Sequence, residues 1–170
     1  NMKKLILTTT FLVAGVIGVM AQGPVNFSNS PFDYGDGIDR LVYEDIGMTV
    51  PVGNAAWQAQ LEENVGGVWT PGGGPTSFLG DVGGTFTAGI WQFVGRTLNV
   101  AGGVDTQLRV SVIDQGNVLA SSAPFSYTPP TSATPPPSAL LMTEFRAFGV
   151  PEPSTIALGV LGLGALLLFR

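Results

Sequence analysis

The chain contains no cysteine and no histidine among its 170 residues. Without cysteine there is no disulfide, so an exported form must be held by its core alone. The two absences together exclude zinc sites of the usual kind, thiol–imidazole pairs and every catalytic triad built on imidazole. Charge is also scarce, at 11 % of residues. Between the terminal segments, over residues 22–149, there is no lysine, and eleven acids face only Arg40, Arg96, Arg109 and Arg146, a net charge of −7. Such a surface repels phosphate backbones, which excludes nucleic acid as a partner. Long uninterrupted stretches are missing too, because 24 glycines and 13 prolines cut the chain into short pieces. Helices of ten or more residues with 3.6 periodicity have little room.

What remains between the breaks alternates. In "TQLRVSVID", Leu108, Val110 and Val112 share one face, while Gln107, Arg109 and Ser111 share the other. This period of two is that of a half-buried strand. The same alternation places Ala55, Trp57, Ala59 and Leu61 on one face of a strand over 53–64. Further strands are expected over 38–43, 76–79, 84–88, 91–98, 120–127 and 140–148. The stretch 127–139 holds five prolines and reads as an extended loop. Seven or eight short strands without crossover helices predict an all-β body, an antiparallel β-sandwich or jelly roll.

Chemistry-bearing clusters are few. "PFDYGDGIDR" spaces Asp33, Asp36 and Asp39 three apart among glycines. Carboxylates on such a loop can converge on Ca²⁺, although Asp and Gly are equally what tight turns select. No other cofactor is expected. Adjacent carboxylates, Glu62-Glu63 and Glu44-Asp45, point to opposite faces of a strand and cannot serve one substrate as a glycosidase pair. The expectation is therefore a non-enzymatic protein. Trp57 and Trp91 lie in alternating segments and read as core. Trp69, beside "TPGGGPT", is the tryptophan expected at the surface, where an indole can stack on a sugar ring. Carbohydrate binding is thus the alternative function.

The two ends carry addresses. Lys3-Lys4 followed by the mostly apolar run Leu5–Val19 and the small residues before Gln22 is the layout of a secretory signal peptide over 1–21, cleaved between Ala21 and Gln22. At the other end, Pro151-Glu152-Pro153-Ser154-Thr155 precedes fourteen apolar residues, Ile156 to Phe169, and Arg170. At 1.5 Å per residue this run reaches about 21 Å as a helix, short of the roughly 30 Å hydrocarbon core, so it suits transient anchoring. The prolines keep the motif extended and accessible, and Ser154 or Thr155 can cap the helix behind it.

Residues 150–170 closely resemble the PEP-CTERM sorting signal of Gram-negative bacteria. More loosely, the opening "AQGPVNFSNS" is similar to that of many small PEP-CTERM proteins from Verrucomicrobia-like bacteria. The resemblance implies export, brief anchoring in the inner membrane, and processing at Pro151, Glu152 and Pro153 by an exosortase-type membrane protease. It also implies delivery to the cell surface or to an exopolysaccharide matrix. The expected organisation is an N-terminal signal helix (1–21), a β-sandwich body (22–149) and a C-terminal hydrophobic helix within 150–170.

Overall fold

The computed structural model describes residues 22–80, 87–131 and 140–151, and these are mostly strand with a single helical turn. The described residues form ten strands, β1 (Gln22–Phe27), β2 (Val42–Tyr43), β3 (Gln58–Val65), β4 (Val68–Pro71), β5 (Thr76–Ser77), β6 (Val94–Ala101), β7 (Thr106–Asp114), β8 (Asn117–Ser121), β9 (Phe125–Tyr127) and β10 (Phe148–Gly149). The all-β class is as the alternation predicts. The signal helix and the C-terminal hydrophobic helix fall outside the described residues. Among those residues, no helix is long and apolar enough to cross a membrane.

The organising element is a six-stranded sheet in which β3 and β7 pair antiparallel, Gln58 opposite Ile113 through to Glu63 opposite Leu108. β4 and β5 share the outer edge of β3, while β8 and β9 share that of β7. Two-residue turns close the hairpins. Gly66 and Gly67 join β3 to β4, and Gln115 and Gly116 join β7 to β8, all four at positive φ. Such turns match the right-handed twist of the strands they connect.

On the inner face, Ala59, Leu61, Leu108, Val110 and Val112 are fully buried. Above them lies a separate antiparallel ribbon of β1 and β6, which contributes Val25, Phe27 and Leu98. Trp91 joins the layers. Its ring lies 4.7 Å from Phe27, 6.2 Å from Phe78 and 5.6 Å from Phe145, and its Nε1–H donates to the Phe27 carbonyl. Tilted and edge-on contacts of this kind suit the ring quadrupoles.

Several expected strands are shorter than their patterns. Residues 53–57 form a turn, because the Asn54 side chain accepts from Ala56 N–H at 2.9 Å and its carbonyl from Trp57 N–H at 3.1 Å. This local bonding competes with the ladder. Ala55 is consequently exposed, and the buried face begins at Ala59. The segment 38–43 pairs only at Val42–Tyr43, and residues 84–86 lie outside the described set. The strand expected over 91–98 runs instead from Val94 to Ala101. The segment 120–127 is split at Ser122–Pro124, where Pro124 has no N–H to give.

The segment 140–148 is largely irregular, yet it buries Met142, Phe145 and Phe148. Its apolar side chains fill the core without a ladder. It ends in β10, which pairs parallel with β2, so the body is not wholly antiparallel.

Candidate functional site

The structure sends the three carboxylates expected to approach Ca²⁺ to separate tasks. Asp33 accepts from the Ser28 hydroxyl. Asp36 grips the Arg40 guanidinium with both oxygens at 2.8 Å. Asp39 accepts from Leu41 N–H at 2.9 Å and from the Tyr43 hydroxyl at 2.7 Å. Among the described residues no group of three acidic side chains is placed to hold a metal ion.

The cluster centres on Arg40, only 2 % exposed, which also donates to the Thr143 carbonyl at 2.7 Å and stacks 3.9 Å from the centre of the Tyr34 ring. The loop 31–40 is thereby clamped to the 140–148 segment. The Arg40 hydrogen bonds pull the Asp36 carboxyl down to about 2, and burial pushes the Tyr34 hydroxyl up to about 12.

The other polar set lies on the sheet face turned away from the core. Gln60, Glu62 and Asn64 of β3 alternate with the buried apolar positions, and across the ladder stand Ser111 and Arg109 of β7. The Glu62 carboxylate accepts from Arg109 Nε at 2.7 Å and from the Ser111 hydroxyl. Arg109 reaches onward over the Trp69 ring, 4.6 Å from its centre. Trp69 is thus half-buried with one face under a guanidinium, less open than the sequence suggests.

Directly across the β3–β4 ladder from Trp69 is Asn64. Asn64, with Asp105, Thr106 and Gln107 at the start of β7, lines a pocket of about 350 Å³. Three of these four side chains are each oriented by one bond. Asn64 Oδ1 accepts from Gly67 N–H at 2.9 Å, Gln107 Nε2 donates to Ser126 at 2.8 Å, and Asp105 Oδ1 accepts from the Thr128 hydroxyl.

Glu63, the immediate neighbour of Glu62, faces the opposite way as the strand period requires. It is 1 % exposed, and its two oxygens accept from the backbone N–H groups of Asn99 at 2.8 Å and Val100 at 3.1 Å. Glu44 and Asp45 also diverge. The first accepts from Gly53 N–H, and the second ties Thr49 and Val50 into a turn.

Of the processing residues, Gln22 lies in β1, and Pro151 is half-exposed directly after Val150, the last core residue among those described. Ala21, Glu152 and Pro153 lie outside the described residues.

Compared with protein-family models, with curated proteins and with solved structures, the chain matches none.

Sequence reasoning chose Trp69 but passed over Asn64, Asp105 and Gln107. The signal that marks two of them is the polar half of the alternation in the two best-patterned strands. Alternation shows only that these residues share a face, and which of them meet is set by the pairing of β3 with β7.

Proposed function

We propose that the protein is an exported cell-surface or matrix protein, a non-enzymatic β-sandwich body delivered by its C-terminal sorting signal. The observation that carries this reading is where the last tie among the described residues falls. Val150 is 1 % exposed and donates its N–H to the Tyr43 carbonyl at 2.8 Å, and the very next residue is the first proline of the Pro-Glu-Pro motif. A protease needs extended, accessible backbone, and a motif beginning one residue beyond the core leaves the fold intact when it is cut. At the other end Gln22, the residue that would follow signal cleavage, pairs with Ala101 of β6 and so belongs to the body. The ribbon of β1 and β6 over the inner face of the six-stranded sheet supports the sandwich.

Mass spectrometry of the native protein after cell fractionation tests this. The expected product starts at Gln22, ends near Pro151, Glu152 and Pro153, and is found outside the inner membrane. An intact C-terminus, Arg170 included, in a soluble cytoplasmic pool would overturn it.

A further inference from the structure

We propose that the pocket between β3 and the start of β7 is a subsite for a neutral saccharide, held by Asn64, Asp105 and Gln107 beside Trp69. Those side chains keep polar atoms free. The orienting bonds use Asn64 Oδ1, Asp105 Oδ1 and Gln107 Nε2. The remaining polar atoms are Asn64 Nδ2, Asp105 Oδ2 and Gln107 Oε1, and among the described residues none has a protein partner.

The lining side chains therefore retain one amide donor and two acceptors around an open depression of about 350 Å³, at the lower end of the range for small-ligand sites, roughly 300–1,000 Å³. Vicinal hydroxyls both give and take hydrogen bonds, so they satisfy such a mixed set as neither a pure anion nor a pure cation would. A Ca²⁺ ion wants six to eight oxygens, and a lone carboxylate with one amide carbonyl falls short of that. An anionic sugar would meet the Asp105 carboxylate and a body charge of −7.

Trp69, outside the pocket's own lining, supplies the neighbouring apolar surface. It stands directly across the ladder from Asn64 and is held by Arg109, itself fixed by Glu62. An indole restrained in this way loses little freedom when a pyranose ring packs on it, which favours binding.

The subsite rests on the sorting proposal only for where the protein would meet glycans. Its test uses the purified full chain, in a detergent without a sugar headgroup, so its failure leaves the processing experiment untouched. Calorimetric titration with cellohexaose, mannohexaose, xylohexaose and an oligogalacturonate hexamer is expected to show binding of at least one neutral hexamer and none of the anionic one.

Two isosteric variants locate the site. Asn64→Asp keeps the oxygen that accepts from Gly67 but removes the amide donor. Asp105→Asn keeps the bond to Thr128 but turns the free acceptor into a donor. Each is expected to weaken binding roughly tenfold or more with an unchanged thermal midpoint, the size expected when a pocket hydrogen bond is replaced by a mismatch. Binding of no neutral hexamer, binding of the anionic hexamer alone, or variants that bind like the parent chain would each overturn the proposal.

Discussion

Glu63 illustrates how a residue that looks like surface becomes part of the interior. Between β1 and β6 the register runs from Gln22 opposite Ala101 to Pro24 opposite Thr97, so β6 carries extra residues against Gly23. A bulge of this kind frees backbone N–H groups from the ladder. Those of Asn99 and Val100 turn to the Glu63 carboxylate of the facing sheet and join the two layers. Hydrogen bonds to a charged acceptor contribute about 1.5–3 kcal/mol each, and an orphaned buried donor costs a similar amount. Glu63→Ala is therefore expected to lower the unfolding free energy by about 2–4 kcal/mol in urea titration. Asp105→Asn, on the open rim, is expected to leave it nearly unchanged.

At the scale of elements, both edges of the main sheet are interrupted, and a polar side chain fills each gap. On the β3 side the chain leaves the ladder after Gly72, whose N–H still donates to the Leu61 carbonyl at 2.9 Å, and Gln60 Nε2 donates to the carbonyls of Leu61 and Gly73, both at 2.8 Å. On the β7 side Ser122–Pro124 leaves it between β8 and β9. There Ser122 keeps one backbone bond, its N–H donating to the Val110 carbonyl at 2.8 Å, while its hydroxyl accepts from Val110 N–H at 3.0 Å, where a backbone carbonyl would otherwise stand. Broken edges of this kind offer no long template for pairing with another chain.

The parallel pair of β2 and β10 is held differently, by close approach. A Cβ on Gly149 would lie 2.1 Å from the Asp45 carbonyl oxygen and 2.8 Å from Ile46 Cα. Both are backbone atoms with no freedom to step aside. Gly149→Ala is expected to separate these strands and lower stability by about 1–3 kcal/mol, with hydrogen exchange at Val150 N–H rising ahead of that at β7.

For the whole molecule, the acid and alkaline limits follow from the clamp around Arg40 and from three tyrosines. Asp36 is held at about 2, below its unfolded value of 3.8, chiefly by the Arg40 hydrogen bonds. Asp45 is lowered as well, first by the Val50 N–H. Carboxylates with depressed values stabilise the fold fully above the unfolded pKa and lose that contribution as pH falls through the folded one. Acid loss is therefore expected between pH of about 4 and 2, and Asp36→Asn is expected to remove part of it in thermal melts across that window.

Tyr34 and Tyr43 are raised from 10.0 to about 12, and Tyr127 is raised too, each chiefly by burial. Their contribution is complete below pH 10 and is lost as pH rises toward 12. With no histidine in the chain, side-chain titration leaves the thermal midpoint nearly flat between pH 5 and 8. A midpoint that shifted strongly within that neutral range would contradict this assignment.

Much of this architecture is legible in the chain before it folds. The inner face of β7, with Leu108, Val110 and Val112, follows from a period of two alone, because successive side chains on a strand must point to opposite faces. The all-β class follows from glycine and proline spacing, and the expected processing points follow from local composition. None of these needs a distant partner.

What only the tertiary structure decided are the features made by residues far apart in sequence. Arg40 meets Thr143, Glu63 meets a bulge 36 and 37 residues away, and Arg109 crosses from β7 to Trp69. Tertiary placement also turned the 140–148 stretch from an expected strand into irregular core. It likewise gave Asp33, Asp36 and Asp39 separate protein partners, Ser28, Arg40 and the Leu41–Tyr43 stretch. The reason is physical: alternation says which way a side chain points, whereas a site needs to know what stands opposite, and register, bulges and edge interruptions settle that only once the layers have packed.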